Sequence, residues 1–492
     1  MKWLLAACIA AQTLPAGTIH GMILEYATGL PLARAKVYLE VVDAGGIRRI
    51  ESVYSARGGQ FNFGDRPDGA YLVSAERETY AVASHGQRRP EGFGTPFAVT
   101  RDSHHFIELR LHKLGVITGT ARDENGAGIA GVRVYAYPRR LPARALASGT
   151  SDDRGVYRIH SLPPGKYWIR NGAHLFNETG DGLVPTYAPE IVSTNGARVF
   201  DARLDTETAY ADIRPLPGRL LSVRGSIAPC GGPVPVTVTL STEEGNRTTQ
   251  TVCGGAFSFE SVADGPRDLA ATAQTPECLS YFEDLRQSGR EALIQLQECA
   301  SVAISRQPRG GEMQTLLRRR DLGVVGPWMD LATLAGFRLP PGYWEISARV
   351  AAKEYVSGVS QPMNRREPGP EAYTMFVPMG KNSAANLTVR VADGAAVISG
   401  VVRKDGNGVA AAPVFLWPLT DTARRALGGG RSLRAGPDGR FRFEGLAPGS
   451  YRVLSSYDFR EVDEDVMELA GKLVVLTAGQ TETLVLAAFE SR

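Results

Sequence analysis

This chain of 492 residues lacks most of what marks an enzyme or a nucleic-acid binder. It has no excess of one charge: 55 Lys and Arg stand against 52 Asp and Glu, a formal +3. The densest basic run, Arg318–Arg320, is followed at once by Asp321, which reads as a solvated turn and not as a nucleic-acid patch. Beyond the N-terminus no apolar run approaches the ~20 residues of a membrane helix, so no transmembrane segment is expected. Nucleophile elbow, phosphate loop and dinucleotide fingerprint are all missing. Histidine is scarce, and the pair His105 and Glu108 sits three residues apart in an alternating strand, where the two side chains face opposite ways. The Asp-rich turns at Asp152-Asp153 and Asp438 each offer one or two carboxylates, whereas calcium takes about six to eight oxygens. The chain therefore reads as non-catalytic, with no cofactor and no metal.

Cysteine is also scarce, and its placement is informative. Cys8 lies in the leader, and Cys230, Cys253, Cys278 and Cys299 all fall in one stretch at spacings of 23, 25 and 21. Those spacings lack the close ligand pair of a zinc site. An even number confined to one region of an exported chain favours disulfides. The leader itself has Lys2, then an apolar run from Trp3 to Ala11, then small residues, the pattern of an export signal ending by residue 16. Secretion, extracellular or periplasmic, is the expectation. Leu5–Cys8 also resembles a lipoprotein box, and outer-membrane lipid anchoring through Cys8 is the alternative if the start site is misassigned.

What the chain does have is a repeat. A compact turn, two alternating aromatics or apolar residues and a glycine turn return five times, followed by an aromatic in all but the third: Ser55–Phe63 with Tyr71, Ser151–Ile159 with Tyr167, Cys253–Phe259 with Gly265, Leu334–Leu339 with Trp344, and Gly436–Phe443 with Tyr451. The turn glycines, at 69, 165, 265, 342 and 449, are 96, 100, 77 and 107 residues apart, the size of one small domain and too long for a solenoid unit. Four units open with an apolar-x-Gly-x-apolar strand, at Ile19–Ile23, Ile117–Ala121, Val223–Ile227 and Ile398–Val402. Alternating segments such as Ala35–Val41 and Val132–Tyr137 follow, and units close with strands such as Phe106–Leu111. This is the signature of an all-β protein, a tandem array of about five antiparallel β-sandwich domains. The expected boundaries are a signal peptide at 1–16 and sandwiches at 17–113, 114–217, 218–305, 306–394 and 395–492, the third bearing disulfides and the fourth divergent. Tyr281–Gln297 can be read as a helix, but its counterpart Glu354–Val359 reads as a strand, which favours strand, turn, strand. Prolines in the short linkers, as at Pro215–Gly218, predict an elongated, semi-rigid string.

The order I-x-G-x-V, turn, V-x-V-Y, D-x-G-x-Y/F, L-P-P-G-x-Y resembles the carboxypeptidase regulatory-like domain, a transthyretin-like, Ig-like sandwich related to collagen-adhesin B-repeats and classed with carbohydrate-binding-like folds. The resemblance is strongest in units one, two and five. It implies an accessory module of exported proteins, sometimes glycan-binding, without the catalytic domain that gave the family its name. Some bacterial relatives crosslink a lysine to an asparagine. Here there are only eight lysines, Lys36 alone lies on a second strand, and self-crosslinking is not expected.

The candidate binding residues are aromatic. If Val132, Val134 and Ala136 point inward, Tyr135 and Tyr137 point outward, and Tyr38, Phe415 and Trp417 align with them. With Tyr167 and Trp344 as core residues, Trp168 also faces out. Flat aromatic faces on a sheet suit sugar rings, which makes a polysaccharide-binding array the expected function. The alternative is a spacer, scaffold or adhesin-like module contacting a cell-surface protein, its aromatics packed beneath loops or against the next domain. For the disulfides the sequence-local pairing is expected, Cys230 with Cys253 and Cys278 with Cys299, among three possible connectivities.

Overall fold

The computed structural model describes residues 17–490 except 44–45, 91, 140–144, 178–179, 243–244, 266, 276–277, 286–291, 322–323, 326–327, 334–337, 361–372, 378–383 and 421–429. The leader, Cys8 and the fourth hairpin turn at Leu334 lie outside the described residues. Five hydrophobic cores run along the chain, each enclosed by two facing sheets. The fold is a tandem array of β-sandwiches.

The first unit shows the plan. Strand Gly17–Glu25 lies between Gln60–Arg66, antiparallel, and His104–Leu111, parallel. The facing sheet centres on Lys36–Asp43 and Gly69–Glu76. Period-two burial fills the space between them with Ile19, Ile23, Val37, Leu39, Phe61, Phe63, Ile107 and Leu109. The second, third and fifth units repeat the arrangement, and in each the opening strand pairs parallel with the closing one. The mainly antiparallel sandwich expected from the sequence is what forms, with one parallel pair added: each unit folds its last strand back beside its first, in the same direction.

That parallel pair explains the opening glycine. A Cβ on Gly400 would overlap the carbonyl oxygen of Leu484 and come within 2.8 Å of Phe441 Cζ. Gly21, Gly119 and Gly225 stand in the same position against Phe61, Tyr157 and Phe257. The motif's glycine and its later aromatic are therefore one device, in which a ring packs directly on bare backbone.

The residue after the second turn is equally structural. Tyr71, Tyr167 and Tyr451 donate their hydroxyls to the carbonyls four residues earlier, Pro67 (3.0 Å), Pro163 (2.8 Å) and Ala447 (2.8 Å). Trp344 makes the same bond to Pro340 through Nε1 at 2.9 Å. In the third unit, where the tyrosine is replaced, the buried Arg267 donates to Ala263 at 3.2 Å. Tyr451→Phe keeps the packing but removes the donor from a buried carbonyl. We expect a loss of about 1–2 kcal/mol in urea unfolding of the fifth unit.

Two expectations shift. Strand Ala300–Gln307 pairs parallel with Ala384–Asp393 and its Ala300 and Val302 lie in the fourth core, so the boundary placed at 305 and 306 cuts a strand of the fourth unit. Pro217–Arg219 pairs with Asp181–Leu183, so the boundary placed at 217 also falls within a strand. The Tyr281–Gln297 stretch holds strands Leu279–Leu285 and Ala292–Ile294.

The elongated string is overturned by tertiary contacts. The loop Ser84–Phe93 of the first unit lies on the fifth, with Phe93 N donating to Tyr457 O at 2.6 Å. Contact between the two end units means the array closes on itself.

Candidate functional site

The expected exposed platform does not exist. Tyr38, Tyr137, Phe415 and Trp168 have only 6, 2, 3 and 9 % of their surface exposed, while Tyr135 and Trp417 are half-buried. All six sit off their unit's main core, as alternation requires, but something covers each outer face.

In the second unit the cover is local. Tyr137 packs against Tyr135 and Tyr187, with ring centroids 6.2 and 6.3 Å away, and the buried Arg170 lies 5.2 Å from the Tyr187 ring. Tyr187 belongs to the long excursion that follows strand Gly165–Asn171. In the first unit, Tyr38 donates its hydroxyl to Glu76 and lies under the Arg49 guanidinium at 3.6 Å. The bond to Glu76 and burial both hold the Tyr38 phenol above its usual range.

In the fifth unit the cover comes from two sources. Phe415, Leu454 and Met467 form a second small core, joined by Trp417 and by Phe93 of the first unit. Met467 is supplied by helix Glu464–Ala470, whose N-cap Asp463 accepts from Val466 N. The sequence reading missed this helix, although Asp463 followed by Glu464 and Asp465, with Gly471 closing, is a legible capping signal.

The two end units thus meet at the most elaborate polar and aromatic arrangement in the described residues. Phe93 is clasped by Arg434, its guanidinium 3.7 Å from the ring centroid, with Arg460 at 5.3 Å. Arg460 donates to Ser84 Oγ at 3.1 Å, and Arg434 donates to Ala411 O at 2.9 Å. Beside this, Val42 and Leu72 on the outer face of the first unit bury against Ala411. Arg88 pairs with Glu490 at 2.6 Å, and Arg89 approaches the buried Asp458 at 3.8 Å. Burial pulls the Arg434 guanidinium down to about 10 and pushes the Tyr457 phenol up to about 12. Nothing in the sequence points to this contact, because Ser84 and Arg460 are 376 residues apart.

Chemistry elsewhere is structural. His112 Nδ1 bonds Asp205 Oδ2 at 2.5 Å and stacks 3.8 Å from the Tyr26 ring, which ties the first unit to the second. Glu108 pairs with Arg110, and His105 bonds Ser103 Oγ, so the two do not share a partner. Asp152 accepts from the backbone of Val156 and Arg154, which lowers its carboxyl below the usual range and accounts for the turn without calcium. Among the described residues no three His, Cys, Asp or Glu gather where an ion would sit, and no helix is long and apolar enough to cross a membrane. The disulfides join Cys230 to Cys253 and Cys278 to Cys299, with Cα separations of 5.6 and 5.3 Å.

Among solved structures, the chain is similar to the minor pilin of Streptococcus agalactiae at 13 % identity, over 41 % of this chain and 95 % of that one, with a TM-score of 0.25. It is similar to the shaft pilin of Lactobacillus rhamnosus GG at 11 % identity, over 42 % and 100 % of the two chains, TM-score 0.26. The major pilin SpaD of Corynebacterium diphtheriae is similar at 6 % identity, over 53 % and 87 %, TM-score 0.19. Scores this low carry no inference about what the present chain does. No curated protein matches. The resemblance read from the turn motifs holds on the second unit, where residues 116–190 match the model of the carboxypeptidase regulatory-like domain.

Proposed function

We propose that this chain is a non-catalytic structural scaffold of the cell exterior, a closed array of sandwiches that contacts other surface proteins. One observation carries the reading: the outer-face aromatics of the end units are consumed by packing, Phe415 and Trp417 under helix Glu464–Ala470 and Phe93, and Tyr38 under Arg49. A sheet face built for sugar stacking keeps its rings in water, whereas Tyr38 and Phe415 are buried and Trp417 is half-buried. The polysaccharide reading therefore loses the geometry on which it rested. Two disulfides fit maturation in an oxidising compartment, in keeping with an exported protein.

Scattering and retention together test the reading. Five units of ~13 Å radius of gyration give roughly 30 Å when closed and roughly 50 Å end to end. The wild-type chain is expected near the lower value and to pass insoluble polysaccharides unretained. Reversing Arg460 to Glu sets a carboxylate against Phe93 and the Glu40 side of the first unit and should move the radius toward the upper value. Retention on a polysaccharide that Trp417→Ala abolishes would restore the carbohydrate reading.

A further inference from the structure

The contact between the end units joins two unlike surfaces. One is the loop Ser84–Phe93 with the outer sheet face at Val42 and Leu72; the other is Ala411, Arg434 and the segment Tyr457–Arg460. A chain whose contact is open carries one of each. We propose that the partner fitting these surfaces is a second copy of this chain, the first unit of one molecule seated on the fifth unit of another. This rests on the closed-array reading above and extends it to assembly.

The physical case has three parts. First, the contact is heterologous. Made between molecules it does not satisfy both surfaces in one step, so copies add head to tail until a ring closes or a filament grows. Second, among the described residues no covalent bond holds it: the links across it are the Phe93 clasp, the Phe93 N–Tyr457 O and Ser84–Arg460 hydrogen bonds, ion pairs and the small Val42–Leu72–Ala411 cluster. Within one chain and between two chains these contacts are the same. The two forms differ only in joint strain and in the effective concentration that the three intervening units set. Third, opening is unfavourable without a replacement cover. Phe93, Val42, Leu72 and Ala411 would enter water, and the desolvated Arg434 would lose its aromatic partner. The joint between the first two units is clamped, because Asp205 accepts from His112 Nδ1 and from Lys113 N while Lys113 pairs with Glu25. That stiffness favours the closed monomer when dilute and exchange when copies crowd at a surface.

A complementation experiment with full-length chains decides it. Gly92→Leu damages only the first-unit surface, since even a Cβ there would strike the Tyr457 carbonyl and lie 3.2 Å from Asp458 Cα. Arg460→Glu damages only the fifth-unit surface. Each variant alone should be an open monomer with a raised radius of gyration. Mixed in equal amounts, the intact fifth unit of the first variant and the intact first unit of the second should give a heterodimer by light scattering. Two open variants that stay monomeric when mixed at several hundred micromolar overturn the proposal but leave the closed array standing. Variants that are not opened at all overturn both. If either variant loses its thermal transition, Phe93→Ala and Arg460→Ala are the gentler pair, with the same outcomes read.

Discussion

Replacing Gly400 by valine is expected to cost the fifth unit about 3 kcal/mol or more, at the upper end of what overpacking a core does. The position has no slack. Its Cβ would run into the Leu484 carbonyl of the parallel closing strand and the Phe441 ring at 2.8 Å, and both neighbours are core elements. Backbone cannot yield there without breaking the pairing of Ala396–Lys404 with Thr481–Ala487. A unit of this size has about 5–15 kcal/mol in all, by the usual scale of domain stability. Urea unfolding of the full chain should therefore show the fifth unit leaving at lower denaturant than its neighbours. Gly430→Ala is the control within the same unit: its nearest neighbour atom would be Trp417 Cε3 at 4.0 Å, and near-neutral stability is expected. Equal effects at the two sites would refute the close-packing account of the motif.

Removing Cys278–Cys299 by a double serine substitution is expected to destabilise the third unit by roughly 3 kcal/mol, the value for a loop of about 20 residues in the chain-entropy account. The bridge ties the start of strand Leu279–Leu285 to the residue before strand Ala300–Gln307, where the third unit passes into the fourth. The third core is modest, with alanines at 271 and 273 and threonines at 237 and 239 where the other units place aromatics on the outer face. A small core gains most from a staple. Heating the double-serine variant beside the wild type should separate the midpoints by roughly 10–20 °C for a unit of this size. An unchanged midpoint would refute the staple role, and a digest linking Cys230 to Cys278 would refute the pairing.

Much of the architecture is legible because its determinants are local. A turn of fixed length, alternation of period two and a glycine that must be bare are short-range constraints, and each recurs in register along the chain. The tyrosine after each turn reaches a carbonyl four residues back, a bond the sequence spells out almost alone. Sidedness is equally local, so Tyr38, Tyr137, Trp168 and Phe415 do leave the main cores as alternation demands.

What alternation cannot say is whether an outward face meets water. That depends on which distant segment lies over it. Helix Glu464–Ala470 and Phe93 cover Phe415, and Phe93 is brought there by two arginines more than 300 residues away in sequence. By itself the sequence determined the β-sandwich repeat, the place of the cysteines and the absence of a catalytic motif. Only the tertiary structure decided that the array closes and that Tyr38, Tyr137, Trp168 and Phe415 are covered. The reason is physical: strand and turn formation follow from neighbours along the chain, whereas contact between end units follows from the summed angles of every joint between them.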